Sequence, residues 1–312
     1  MGFQYLFGPV PSRRLGVSLG IDLVPFKTCS FNCIFCECGP TTDLTTERKE
    51  YVPTDDVIRE LDTFLASHPH LDFITFSGSG EPTLHTGIGA IARHVKERFP
   101  GYRLALLTNS SLLSDAKVRN DILDIDVVIP SLNAVSERVF RKINRSHPSL
   151  SPDQITDGLI AFRSEYSGAI WLEIFIIPGL NDTPGELDLL KAALRKIRPD
   201  KVQLNTLDRP GVVDWVNPSP ASDMERIARH LDYPGVEIIT GAESRSEIPC
   251  FSADVLETIL RTIRRRPCTM QDLARITGLH PDEITKYTGI LRERNLILEK
   301  REERGIFYTC AP

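Results

Sequence analysis

Two rhythms of apolar residues alternate along the first 245 positions. Short runs dense in β-branched and aromatic side chains predict strands: "GVSLGIDLV" (16–24), "DFITFSG" (72–78), "RLALLTN" (103–109), "DVVIPSL" (126–132), "IWLEIFIIPG" (170–179), "KVQLNTL" (201–207) and "VEIIT" (236–240). Between them the apolar positions fall at helical spacing, as with Val57, Leu61 and Leu65 in "TDDVIRELDTFLASHP", where Thr54 reads as an N-cap. Further helices are expected over 87–99, 115–123, 138–143, 152–166, 184–197 and 222–231. Six or seven βα units in series imply an α/β fold on a parallel sheet, as a barrel, a partial barrel or a doubly wound sheet. All three gather their chemistry at the C-terminal ends of the strands.

The rhythm changes after "GAESRSEIP" (241–249). Three helical stretches, "SADVLETILRTIRR", "TMQDLARITGL" and "HPDEITKYTGILRERN", precede a hairpin, "LILEKREERGIFYTC", with its turn at 303–305. That order predicts a C-terminal winged helix-turn-helix domain, with a boundary between Ser244 and Ala253 and domains of 1–245 and 246–312. A helix that reads DNA should be rich in Arg, Lys, Asn and Gln. "HPDEITKYTGILRER" opens instead with Asp282 and Glu283, though Lys286, Tyr287, Arg292 and Arg294 follow. The basic run Arg261, Arg264, Arg265 and Arg266 suits phosphates or a solvated helix end. Nucleic-acid contact and docking on a protein or on the substrate domain both stay open, with docking favoured.

Composition narrows the class. The 312 residues are 41% hydrophobic and 25% charged, with net charge −5 and mean hydropathy −0.14, ordinary for a globular protein. Charge is uneven: 254–312 carries 11 Lys and Arg against 9 Asp and Glu, and the rest amounts to −7. An acidic body argues against a large RNA footprint. The start, "MGFQYLFGPVPSRR", lacks the pattern of a secretory signal, and the most apolar run is interrupted by Glu173 and Pro178, so a cytoplasmic protein without membrane contact is expected.

Four of seven cysteines fall within "KTCSFNCIFCECG" (27–39), directly after the first strand. In a reducing compartment such a cluster points to metal or redox chemistry rather than disulfides. Zinc wants four tetrahedral ligands, and Cys38 would be the fourth. Cys29, Cys33 and Cys36 alone suit three corners of a [4Fe–4S] cubane and leave one iron open. "SGSGEPTL" follows the second strand, "TNSS" the third and "SLNA" the fourth, which is where chemistry belongs in such a fold.

CxxxCxFC after the first strand, followed by "SGSGEPTL" after the second, resembles the radical S-adenosylmethionine (SAM) superfamily over roughly the first 245 residues. "FGPVPSRRLGVSLGIDLVP" looks like a narrower group related to the tRNA wyosine synthases. The resemblance implies a partial (β/α)6 barrel in which Cys29, Cys33 and Cys36 hold a [4Fe–4S] cluster and SAM chelates its fourth iron. Reductive cleavage would then yield a 5′-deoxyadenosyl radical that abstracts hydrogen from a substrate: an RNA base, a peptide or protein, or a small metabolite. A flavodoxin or ferredoxin would donate the electron, and oxygen sensitivity is expected. Phe35 would lie beside the adenine, Gly78 and Gly80 would let the backbone approach, and Glu81 or nearby carbonyls would take the methionine ammonium. Asn109, Ser131, Asn133 and Glu173 would complete the cofactor site. The residues themselves also admit other roles, as turn or helix caps for Asn109, Ser131 and Asn133 and an arginine partner for Glu173. Arg13 and Arg14 would hold a substrate anion or form a surface ion pair, and Cys250 would donate hydrogen, bind substrate or merely pack. The rival reading is an iron–sulfur or zinc sensor whose winged helix binds DNA.

Overall fold

The computed structural model describes residues 3–311 except 13, 37, 208–210, 214, 240–254, 280–283, 285–286, 290, 293 and 303–304. Arg13 and Cys250 therefore lie outside the described residues. The chain opens with a hairpin, β1 (Leu6–Ser12) and β2 (Gly16–Ile21), paired antiparallel. Sequence periodicity passes over β1 because Pro9 and Pro11 interrupt it, and a strand with prolines belongs at a sheet edge. Two-residue strands β3 (Thr28–Cys29) and β4 (Asp43–Leu44) pair with each other.

A βα series follows: α1 (Thr54–Leu65), β5 (Phe73–Phe76), α2 (Ile88–Arg98), β6 (Leu104–Thr108), α3 (Ala116–Asp121), β7 (Val127–Pro130), α4 (Glu137–Asn144), α5 (Pro152–Glu165), β8 (Ala169–Phe175), α6 (Pro184–Ile197), β9 (Lys201–Asn205), α7 (Ala221–Leu231) and β10 (Val236–Ile238). Thr54 is not the cap it was expected to be. Pro53 holds that position, and the Thr54 N–H donates to Glu50 Oε1 at 2.8 Å.

Eight strands form one sheet in the order β1-β2-β5-β6-β7-β8-β9-β10, parallel from β2 onward. Order never reverses along the chain, as in a barrel and unlike a doubly wound sheet. With β1 and β10 as its edges, the arrangement is that of a partial barrel. Alternate residues serve two faces. Ile74, Leu106, Val128, Leu172 and Leu204 pack beneath the helices, whereas Phe73, Ala105, Val127 and Ile129 join Leu15 in a separate cluster on the inner face. Burial on both faces explains why these strands read as continuous apolar runs.

The C-terminal segment comprises α8 (Val255–Arg265), β11 (Cys268–Thr269), α9 (Met270–Thr277), β12 (Ile297–Glu302) and β13 (Gly305–Cys310). The strands form a separate sheet in the order β11-β13-β12. Thr269 and Asp272 make a reciprocal capping box that starts α9, and Gly278 ends it in a left-handed conformation. Of the third expected tail helix, Ile284, 287–289 and 291–292 are helical among the described residues. The segment has its own apolar cluster around Ile259, Ile263, Leu273 and Leu291.

Candidate active site

Residues 29–42 form a loop closed at its base by β3 pairing with β4. Phe31 and Ile34 anchor it in the core, only 3% and 1% exposed. Backbone N–H groups of Asn32 and Ile34 donate to Asn144 and Ile143 carbonyls at 3.0 Å, filling acceptors that the end of α4 leaves open. Cys33 lies between these two anchors. Thr41 N–H donates to Asn32 Oδ1 at 2.9 Å and Thr41 Oγ1 to the Phe31 carbonyl at 2.7 Å, tying the far side of the loop to its start.

The three thiols face different surroundings. Burial pushes Cys29 up to about 12, with the Glu81 carboxylate adding to the effect. Burial likewise raises Cys33, which also feels Cys36 and Cys29. Cys36 is lowered, first by a hydrogen bond with Cys38 and then, against the cost of burial, by the Lys27 ammonium. Lys27 Nζ, almost fully buried, donates to Cys36 Sγ at 3.1 Å. Cys29 Sγ accepts from Phe31 N and Asn109 Nδ2, each at 3.5 Å. Among the described residues no three His, Cys, Asp or Glu side chains are gathered around a point where one metal ion would sit. A cubane makes a different demand, because its thiolates bind separate irons. Three thiols on one anchored loop, with N–H donors aimed at two of the sulfurs, suit thiolate-bound iron, whose potential such hydrogen bonds tune.

Ser77 to Glu81 follows β5 and lies against the start of this loop. Glu81 N–H donates to the Thr28 carbonyl at 3.2 Å. A Cβ on Gly80 would stand 2.0 Å from that same oxygen, so only glycine fits there. Gly78 has φ +141°, and a Cβ on it would stand 2.3 Å from Asp22 Oδ1. Ser79 Oγ donates to Asp22 Oδ2 at 2.9 Å. The two motifs expected to share a cofactor are thus joined through backbone atoms.

Of the two groups expected to take an ammonium, the Glu81 carboxylate or nearby backbone carbonyls, the carboxylate is engaged by the protein itself. Its Oε1 accepts from Thr83 N (3.1 Å), Thr83 Oγ1 (2.6 Å) and Thr108 Oγ1 (2.7 Å), and Oε2 accepts from Asn109 N (2.7 Å). At 2% exposure the side chain is committed inside the protein, capping Pro82–Leu84 and joining the ends of β5 and β6. Backbone carbonyls near it remain for a ligand.

Asn109 likewise holds protein: its Nδ2 donates to Ser30 Oγ at 2.9 Å as well as to Cys29 Sγ, and its Oδ1 accepts from Ser111 N. Asn133 Oδ1 accepts from Phe175 N at 2.8 Å, securing the end of β8. Asn109 makes the local turn bond that its residue type also allowed, whereas Asn133 bonds across to another strand. Glu173 meets Arg14 in an ion pair and accepts from Ser131 Oγ and Asn205 Nδ2 at 3.3 Å each, so Arg14, Ser131 and Glu173 form one polar group on the inner face. Arg14 is paired, though on the inner face rather than at the surface as expected for an ion pair. Phe35 stacks on Phe175 with centroids 4.2 Å apart.

Two residues near the site were passed over in the sequence, and a third was read only as part of the basic run. Lys27 stands two positions before Cys29, a signal in itself. Asp22 is an acid inside an apolar run, as Glu173 is. Arg265 comes from α8, far along the chain. Its guanidinium lies 4.4 Å over the Phe7 ring and 3.6 Å from Asp22 Oδ2, while Arg261 donates to the Leu6 carbonyl at 3.2 Å.

Residues 23–190 match the family model described as Radical SAM superfamily. The chain is 38% identical over 227 residues to a protein described as GTPase Obg from Brachyspira hyodysenteriae, covering 73% of this chain but only a third of that protein's length. It is 32% identical over 262 residues to a UPF0026 protein of Synechocystis sp., covering 84% of this chain and 92% of that one. Among solved structures, a radical SAM methyltransferase from Sphaerobacter thermophilus is similar in fold, with TM-score 0.55 and 15% identity over 71% of this chain and 65% of the other. With the cysteine loop and the glycine turn joined at the ends of parallel strands, these matches identify the chain as a UPF0026 protein and an enzyme of the radical SAM superfamily, whose cofactors are a [4Fe–4S] cluster and S-adenosylmethionine.

Proposed function

We propose that Cys29, Cys33 and Cys36 are the cluster ligands, that backbone carbonyls of 78–81 take the methionine ammonium, and that Phe35 borders the adenine. The observation that carries this reading is the Glu81 N–H to Thr28 carbonyl bond, which fixes the glycine turn against the cysteine loop. Bound there, the cluster and SAM supply a 5′-deoxyadenosyl radical that takes hydrogen from the substrate. The chain's own part is to bind, orient and shield. Lys27 and Asn109 aim N–H donors at the sulfurs, and Glu81 and Asn109 hold the turn and the loop in one geometry. Phe31 and Ile34 seat the loop in the core, which keeps water from its inner side.

Residues 1–245 would form the catalytic domain and 246–312 a winged helix-turn-helix domain, supported by the order α8-β11-α9-β12-β13 and by β11 pairing with β13. A flavodoxin or ferredoxin would supply the electron. The likeness of 7–25 to the group related to the tRNA wyosine synthases makes an RNA base one candidate substrate, while the acidic body fits a peptide, a protein or a small metabolite at least as well. Two arginines of the basic run contact the barrel, Arg261 at Leu6 and Arg265 at Phe7 and Asp22, so the DNA-reading alternative finds no support. Iron and sulfide content after anaerobic reconstitution tests the ligand set. Alanine at Cys29, Cys33 or Cys36 should abolish loading of an intact cluster, whereas Cys38→Ala should load fully and still change its electron paramagnetic resonance spectrum when SAM is added. Loss of that response in Cys38→Ala would mean that four thiolates are required and would defeat the open-iron reading.

A further inference from the structure

The C-terminal residues of α8 overhang the strand ends and help enclose a cavity of about 220 Å³. Phe7 and Leu107 supply an apolar wall, Ser77 and Gly78 belong to the glycine turn, and Arg265 and Arg266 come from the tail. Among the described residues, two guanidinium groups and the Cys38 thiol line it, and no carboxylate does. Asp22 borders a second cavity of about 280 Å³ on the other side of Arg265.

Arg265 is held by packing on Phe7, yet its bonding is incomplete. Among the described residues its buried Nε meets no acceptor, and the buried Asp22 Oδ1 meets no donor. The contact joining the two side chains is long, at 3.6 Å. A buried guanidinium N–H without an acceptor is costly, more so than a neutral one. Arg266 is half-buried and has no ion partner among the described residues. Attraction to the α8 carbonyls would explain exposed Arg264. It explains neither the burial of Arg265 with Nε unmet nor the place of Arg266 in the cavity wall.

We propose that this cavity is an anion subsite, in which Arg265 and Arg266 hold a carboxylate or phosphate group beside the glycine turn. Planar guanidinium groups suit such two-oxygen partners. The anion has two possible sources, the methionine carboxylate of SAM or an acidic group on the substrate. Phe7 and Leu107 would meet the less polar body of the same molecule. Naming those sources rests on the radical SAM reading; anion binding itself does not.

Calorimetric titration of the full chain tests the subsite, with inorganic phosphate on cluster-free protein and SAM on anaerobically loaded protein. Wild type and Arg264→Gln should bind phosphate alike. Arg266→Gln should bind it about tenfold more weakly, as expected for loss of a charge-assisted contact, and Arg266→Lys should fall between. If SAM binding weakens in step, the methionine carboxylate is the anion; if it is unchanged, the anion belongs to the substrate. Should Arg266→Gln fail to fold, by melting temperature, Arg266→Lys carries the comparison. Wild type that does not bind phosphate, or Arg266 variants that bind it as wild type does, would overturn the proposal. A chain that loads no cluster would defeat the radical SAM reading and leave the phosphate titration intact.

Discussion

Glu81 shows how a motif residue can serve chemistry without touching it. Its carboxylate accepts four hydrogen bonds, so removing it orphans donors on Thr83, Thr108 and Asn109. Each unmet buried donor costs about 1–3 kcal/mol. Glu81→Ala should therefore lower the melting temperature of cluster-free protein by about 6 °C or more, at roughly 1.5 °C per kcal/mol in a chain of this size. An unchanged melting temperature together with lost SAM binding would instead make the carboxylate a direct ligand contact. Cys36 makes a second residue-scale case. Its proton affinity is lowered by Cys38 and Lys27, whereas burial raises Cys29 and Cys33. A thiol lowered below its ordinary value is thiolate over a window where the others are not, and that window closes as pH falls through its folded value. In cluster-free protein near neutral pH, iodoacetamide should label Cys36 ahead of Cys29 and Cys33, and Lys27→Met should slow that labelling. Equal labelling of the three would contradict the assigned environments.

At the scale of elements, the glycine turn works through its distance from the cysteine loop. A Cβ at Gly80 meets a backbone oxygen, which cannot rotate away as a side chain would. Gly80→Ala should cost about 1–3 kcal/mol, typical of overpacking, and should also reduce cluster loading because the loop must shift. Loading and stability equal to wild type would show that the two segments are not tightly joined. All seven parallel strands were legible as apolar runs, the inner ones because both faces are buried. Edge strand β1 was not, since prolines erase its pattern. Order along the sheet, which separates a barrel from a doubly wound fold, leaves no mark in periodicity. The cysteine and glycine motifs were legible because their chemistry demands special residues at fixed spacing. Their neighbours were less so. Arg14 meets Glu173 across 159 positions, and whether Asn109 serves a ligand or a turn depends on register rather than residue type.

Across the whole molecule, the tail is where the alternatives left open by the sequence separate. Its basic run reads in sequence as a surface for phosphates or a solvated helix end. In the fold, Arg261 and Arg265 join α8 to the first hairpin of the barrel. A double-mutant cycle of Asp22→Asn and Arg265→Gln, followed by denaturant unfolding, measures this junction. Coupling of about 0.5–3 kcal/mol is expected for two charges in contact. Additive effects would mean that the tail does not rest on the barrel in solution.

The central claim is that the cysteine loop and glycine turn together run radical chemistry on SAM. It is tested most directly by anaerobic incubation of the reconstituted chain with dithionite and SAM, with 5′-deoxyadenosine read by mass spectrometry and Cys33→Ala as control. Wild type should yield 5′-deoxyadenosine and the variant none. None from wild type carrying a full [4Fe–4S] load, or equal amounts from both, would contradict it.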